Sequence, residues 1–320
     1  MIHLICPNPA IDRTILLETI DFNVPNRPIE TREFPGGKSF NVAYALSYDD
    51  LEEEIVIHTM LGGLYGTHLA NLAKERGYQV QATAVHKETR MCNILVDMSK
   101  KTIIPVYENG FSLDSDTLKQ FTDALIRSIQ NGDIIVFSGS LMKNMPDDYI
   151  VQLEKSLVAK QISAKLCVDT SGEALVQTYE QLTPYLIKIN DEEIKALFPD
   201  KQLSTVDDYL KLLAEDIKKE IPNFIITLGK MGIVGRIEGE LYVGAADPIE
   251  AKNPVACGDF FLGRLLKGIV AQQTAEEMLR SALLFSTCNA MTWYPEVSDQ
   301  QMSELLPTIT CQQVTLNGNH

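Results

Sequence analysis

Short apolar runs alternate with amphipathic stretches along most of this 320-residue chain, and that alternation constrains its architecture more than any single motif. Strand-like runs fall at Ile2–Cys6, Glu54–Met60, Asp133–Ser138, Lys165–Thr170, Leu186–Ile189 and Phe224–Leu228. Helical periodicity falls between them, at Ser39–Tyr48, Gly66–Arg76, Ser115–Gln130, Asp147–Lys160, Asp191–Leu197 and Val206–Lys219. Strand, helix, strand in succession implies βαβ units and a mainly parallel sheet with helices on both faces, an α/β fold. In open sheets of this kind ligands bind at the carboxyl ends of the strands.

Two stretches break the rhythm. Ile11–Pro35 and Val85–Tyr107 carry strand-like segments with no helix between them: Thr14–Leu17, Ile29–Phe34, Met91–Met98 and Thr102–Val106. Ser99-Lys100-Lys101 reads as the hairpin turn between the last two. These segments predict a small antiparallel sheet standing off the main one. A small sheet with one apolar face needs cover, so it would close over the site as a lid, pair with a second subunit, or both. No long linker or repeat interrupts the chain. Residues 1–320 therefore read as a single α/β domain, with lid segments at about 11–35 and 85–107 inserted in it. Disorder is expected in the tail after Thr310.

Charge narrows the partners. With 28 basic against 43 acidic residues the net charge is −15, which argues against coating a nucleic acid. It leaves room for a small phosphorylated ligand, because a few clustered cations can dominate one cleft. Cys6, Cys92, Cys167, Cys257, Cys288 and Cys311 are scattered without a C-x-x-C pair, which fits free thiols in a reducing cytoplasm better than disulfides or zinc. No apolar run is long enough to span a bilayer, and the first residues lack the pattern of a signal peptide.

Several segments could carry chemistry, and each also has a plain structural reading. In Asn253-Pro-Val-Ala-Cys-Gly-Asp259 three small residues, Ala256, Cys257 and Gly258, precede an acid and a helix-patterned apolar run. Backbone amides at such a helix start can hold an anion, with Asp259 placed to meet an attacking hydroxyl; an ordinary acid in a first helical turn has the same look. Gly36-Gly37-Lys38 leads into a helix carrying Asn41, as a phosphate-facing turn or as a plain one. It is not a P-loop, because that pattern needs glycine where the chain has Arg32. Asp12 lies just past the first strand and could accept bonds from sugar hydroxyls or cap a turn. Arg90 could clamp a phosphate or lie in solvent. Ser138-Gly139-Ser140 ends a strand with small residues that leave room for substrate or for close packing. Asn190 and Glu193 share the first turn of a helix after Lys188; they could hold the water shell of Mg²⁺ or form a capping pair. Thr227-Leu228-Gly229-Lys230-Met231-Gly232 could present amides to a nucleotide or make a hairpin.

Taken in order from residue 8 to residue 259, these segments resemble the PfkB (ribokinase-like) carbohydrate kinases, in the branch of 1-phosphofructokinase and tagatose-6-phosphate kinase. The resemblance implies a ribokinase-like fold and transfer of the ATP γ-phosphoryl group, with Mg²⁺, to a hydroxyl of a sugar phosphate of the fructose 1-phosphate or tagatose 6-phosphate class. It implies Asp259 as the general base and Ala256, Cys257 and Gly258 as the anion hole. It further implies Asp12, Gly37, Lys38, Asn41, Arg90 and Ser140 on the sugar phosphate. Lys188, Asn190, Thr227, Gly229, Gly232 and Asn289 would serve the nucleotide, with Glu193 and Asn190 on the metal through water. A homodimer through the lid is expected. The chain departs from the family pattern at Ala256 and Ser39, where glycine is usual, and at Ile189, where proline is usual. It also departs at Met142-Lys143-Asn144 and at Met91-Cys92-Asn93, where the substrate-binding Asn is out of register. A kinase for a free sugar or nucleoside, or a silent sugar-phosphate sensor, would use the same fold.

Overall fold

Successive residues of the first strand belong to different cores: Leu4 packs with one hydrophobic cluster and Ile5 with another. Both faces of the strand are therefore covered, which is why Ile2–Cys6 reads as an unbroken apolar run. The computed structural model describes residues 1–49, 51 and 53–316. Its strands are β1 (Ile2–Cys6), β2 (Ala10–Leu17), β3 (Glu30–Gly36), β4 (Ile55–Leu61), β5 (Gln79–Ala84), β6 (Arg90–Asp97) and β7 (Thr102–Tyr107). They continue with β8 (Ile134–Ser138), β9 (Lys165–Asp169), β10 (Leu186–Asn190), β11 (Asn223–Thr227), β12 (Ile233–Ile237), β13 (Glu240–Ala246) and β14 (Ile309–Val314).

Ten strands form one sheet in the order β14-β13-β12-β11-β10-β9-β8-β1-β4-β5. The pairs from β11 through to β5 are parallel, and β12 to β14 close one side antiparallel. On one face the helices Lys38–Leu46, Cys257–Val270 and Ala275–Ala290 pack over Leu4, Val136 and Ile225. Their close crossing depends on Gly263, where a Cβ would stand 2.5 Å from the Val42 carbonyl oxygen. On the other face Phe121, Tyr149 and Leu153 cover Ile5 and Phe137, and Tyr209 and Leu213 cover Phe224 and Ile226.

The second sheet has four strands in the order β3-β2-β6-β7. Its outer pairs are antiparallel, and the central pair β2–β6 is parallel. The turn at Ser99–Lys101 forms as expected. Asp97 Oδ1 accepts from Ser99 Oγ at 2.8 Å and from the Lys100 amide at 3.0 Å.

The expectation for the tail needs correction. Ile309–Val314 is strand β14, paired along β13, and Ile309 is buried. Its polar residues belong to an edge strand that is apolar only where it meets the core; residues 317–320 lie outside the described part. The sequence reading also passed over the helix Gly172–Gln181, whose inward face is only Ala174, Leu175 and Thr178. No helix among the described residues is long and apolar enough to cross a membrane.

Candidate active site

The carboxyl ends of β10 and β11 open into a cavity of about 380 Å³ that the small sheet borders through β2, β6 and β7. Asp12, Gly37, Lys38, Asn41, Arg90, Lys188, Asn190, Thr227, Ala256, Gly258 and Asp259 all line it. The sequence had placed these residues on different segments, and the fold brings them to one opening.

Asp259 lies in the first turn of the helix Cys257–Val270, which starts from Ala256 in the left-handed conformation (φ 66°, ψ −3°). Holding alanine there costs on the order of 1 kcal/mol relative to glycine, yet keeps its backbone N–H. Asn289 Nδ2 donates to the Val255 carbonyl at 2.7 Å, and Asn253 Oδ1 accepts from the Val255 amide at 3.0 Å. Both side chains thus fix the loop before the helix from behind. The Cys257 thiol turns toward Asn289 as well, at 3.3 Å, away from the cavity. Asp259 itself is only 7% exposed and accepts from Asn41 Nδ2 at 2.9 Å. Burial pushes its carboxyl up to about 6, with Lys38 opposing that shift.

Asp169 organises the cations, and sequence reasoning missed it. It ends β9 with no exposed surface, accepting from Lys38 Nζ at 2.7 Å through Oδ1 and from Lys188 Nζ at 3.0 Å through Oδ2. Burial would raise its pKa, but Lys188 and Lys38 outweigh that and hold it below the ordinary carboxylate range. Burial would lower the Lys38 ammonium, but Asp169, Asp259 and Glu193 together hold it above the ordinary lysine range. The signal in the sequence was an acid closing an otherwise apolar strand, Leu166-Cys167-Val168-Asp169. Lys188 also lies against the helix start: a Cβ on Gly258 would stand 2.8 Å from its Nζ. A point charge and the amides of a helix N-terminus therefore face the same place.

On the side of the small sheet, Asp12 packs over the glycine turn, where a Cβ on Gly36 would stand 2.2 Å from its carboxyl carbon. Burial pushes Asp12 up to about 7 against the pull of Arg90. Gly37 has φ 102°, a conformation that favours glycine, and it starts the helix that carries Lys38 and Asn41. Arg90 donates from Nη1 to the Glu108 carbonyl at 3.2 Å and from Nη2 to the Asn8 carbonyl at 3.1 Å. Its Nε is buried without a hydrogen-bond partner.

On the far side, Asn190 Oδ1 accepts from the Glu193 amide at 2.8 Å while Glu193 Oε2 accepts from the Asn190 amide at 2.9 Å. The capping reading of this pair is thus realised. Glu193 Oε1 stays clear of the cap, 4.0 Å from Lys38 Nζ. Gly229 has open space where its Cβ would be. Gly232 instead serves the turn into β12, since a Cβ there would stand 2.0 Å from the Gly244 carbonyl oxygen. Ser140 is exposed beyond β8, and Asn289 is buried behind the loop before Asp259; neither lines the cavity.

Cations and a helix N-terminus converging on one buried acid suit the transfer of an anionic group to an alcohol. The chain belongs to the pfkB family of carbohydrate kinases, whose model matches residues 6–292. It is accordingly an ATP-dependent kinase. A tagatose-6-phosphate kinase of Staphylococcus epidermidis is 26% identical over 292 residues, covering 91% of this chain and 92% of that protein. The fold matches phosphofructokinase-2 of Escherichia coli in complex with substrates and products, with a TM-score of 0.86, 22% identity and coverage of 96% and 98% of the two chains. It also matches a possible 1-phosphofructokinase of Thermotoga maritima, with a TM-score of 0.83, 20% identity and coverage of 98% and 100%.

Family membership implies catalysis with ATP and Mg²⁺. The donor set fits a weakly held, hydrated ion. Among the described residues no three His, Cys, Asp or Glu side chains cluster to enclose a metal, and Mg²⁺ keeps much of its water and binds substrate phosphates. Glu193, whose Oε1 takes no part in the cap, would be the residue to hold such a water shell.

Proposed function

We propose that the protein transfers the γ-phosphoryl group of ATP to a hydroxyl of a sugar phosphate of the fructose 1-phosphate or tagatose 6-phosphate class. The observation that carries the reading is the buried Asp259 carboxylate, set at a helix N-terminus inside the one cavity that also holds Lys38, Arg90 and Lys188. Asp259 orients the attacking hydroxyl and takes its proton as the new oxygen–phosphorus bond forms and the bond to ADP breaks. Phosphoryl transfer has a loose transition state, so positioning and charge neutralisation supply most of the catalysis. The amides of Ala256, Cys257 and Gly258, with the Lys188 ammonium, neutralise the transferring group. Arg90 and Lys38 hold the phosphate already on the acceptor, and Asp12 accepts from its hydroxyls. Asn41 positions Asp259. Thr227, Gly229 and Asn190 border the nucleotide, and Gly232 shapes their turn. Asn289 holds the anion-hole loop in place, and Ser140, outside the cavity lining, is given no part in the reaction. Glu193, with Asn190, would hold Mg²⁺ through water. When bound, the ion supplies countercharge to the nucleotide's phosphates.

The small sheet is read as a lid and as the face of a homodimer. Register aligns Ile15, Leu95 and Ile104 across its outer face, with Val106 beside them. Val106 is 50% exposed and Phe22, in the loop from β2 to β3, is 83% exposed, an apolar surface that a second copy would cover. Six unpaired cysteines support a reducing cytoplasmic setting.

An ADP-release assay over a panel of phosphosugars, free sugars and nucleosides tests the reading. The expected result is turnover with phosphosugars, and a KM for them that rises about tenfold or more in Arg90→Ala while KM for ATP holds. Turnover confined to free sugars or nucleosides, or none, would contradict it.

A further inference from the structure

The acceptor side of the cavity has a polar end and a wall with little hydrogen-bonding capacity. Alternate residues of a strand share a face, and on β6 the residues that line the cavity are Arg90, Cys92 and Ile94. Asn93, the only amide of that strand, takes the opposite face, in register with Arg13 and Val106. Cys92 pairs with Asp12 on one side and with Tyr107 on the other, and all three border the cavity. Neighbouring strands stand about 4.8 Å apart, so the Cys92 backbone is one strand spacing from that of Asp12 and their side chains share one face. A thiol hydrogen-bonds weakly and the Ile94 side chain not at all.

We infer that Cys92 and Ile94 set the acceptor range of this kinase, as a wall that reads shape and not hydroxyls. The protein would then phosphorylate ketohexose phosphates that differ in the configuration, or the presence, of a single hydroxyl with similar kcat/KM. This rests on the phosphosugar reading above and narrows it. A site that hydrogen-bonds a hydroxyl rejects the analogue lacking it by about 10⁴-fold or more, whereas an apolar pocket discriminates by only about 10²-fold. In the cross-strand row the hydrogen-bonding side chains are Asp12 and Tyr107, on either side of Cys92, so discrimination is confined to the parts of the sugar that reach them.

The test compares kcat/KM for fructose 6-phosphate, its C4 epimer tagatose 6-phosphate and the 4-deoxy analogue, in the wild type, Cys92→Asn and Cys92→Ser. The expected wild-type spread is within about 10²-fold. Cys92→Asn, which puts an amide on the wall, should widen it by about a further tenfold with KM for ATP unchanged, since one hydrogen bond is worth about that much. Cys92→Ser should shift the ratios the same way by less, and it serves if the larger side chain prevents folding. A wild-type spread above about 10³-fold, or identical ratios in all three proteins, overturns the inference and leaves the kinase reading standing. Folded wild type that turns over no phosphosugar overturns both.

Discussion

Two buried acids, Asp259 in the cavity wall and Asp169 against its two lysines, end on opposite sides of the ordinary carboxylate range: burial raises both, and only at Asp169 do Lys188 and Lys38 outweigh it. Asp169 accepts from two lysines and is held in the ionised form, while Asp259 has one amide donor and is pushed up to about 6. For Asp259 the folded pKa lies above the ordinary 3.8, so the folded state takes up a proton between those values, and the ionised group costs stability at neutral pH. Asp259→Asn should therefore raise Tm at pH 7.5 by a few degrees, about 2–6 °C, while removing turnover; a lower melting temperature in calorimetry would contradict that sign. In the wild type, kcat/KM should fall as pH drops through about 6, where Asp259 gains the proton it must otherwise accept. A profile flat down to pH 5 would exclude that assignment. Asp169→Asn removes the negative charge that Lys38 and Lys188 share and replaces one of its two acceptor oxygens with a donor. Its expected effect is a KM increase for both ATP and the sugar phosphate, about tenfold or more, where loss of a group on one substrate alone would move one KM. Asp259 was legible because small residues, an acid and an apolar periodic run stand in one sequence segment. Asp169 was not, because its partners Lys38 and Lys188 are 131 and 19 residues away and nothing near it marks a site.

Elements were most legible where burial on both faces left unbroken apolar runs, as in β1, β8 and β11. They were least legible at the edges. β5, Gln79–Ala84, is largely exposed, and β14 is buried only at Ile309, so neither carries the apolar signal that a central strand must. The central strands hold a feature that no local pattern announces. His3 Nδ1 lies 2.9 Å from His58 Nε2, and His3 Nε2 lies 3.0 Å from Asp133 Oδ2, so β4, β1 and the start of β8 are joined across the sheet. Neutral tautomers satisfy both bonds, with His58 donating to His3 and His3 to Asp133. Burial lowers His58 to about 3 and lowers His3 as well. A histidine with a depressed folded pKa contributes stability that is complete above its unfolded value of 6.5 and is lost as pH falls toward the folded value. Tm should thus decline between pH 7.5 and 5, and the decline should be shallower in a His3→Gln, His58→Gln double variant. Equal slopes in differential scanning calorimetry would show that the pair does not control acid stability.

At the scale of the whole molecule, the large sheet supplies rigid strand ends and the small sheet supplies the surface that faces outward from them. If the outer face of the small sheet is the dimer face proposed above, an Ile104→Asp, Val106→Asp double variant should sediment as a monomer where wild type sediments as a dimer; a monomeric wild type, or equal sedimentation coefficients, would contradict that reading. The account as a whole depends on a single carboxylate acting on the acceptor hydroxyl. Its most direct test is kcat for ATP-dependent phosphorylation of tagatose 6-phosphate by Asp259→Asn beside wild type, with ATP affinity measured by calorimetry on both. The account predicts a kcat lower by about 10²-fold or more with ATP affinity unchanged, whereas a kcat within about threefold of wild type would contradict it.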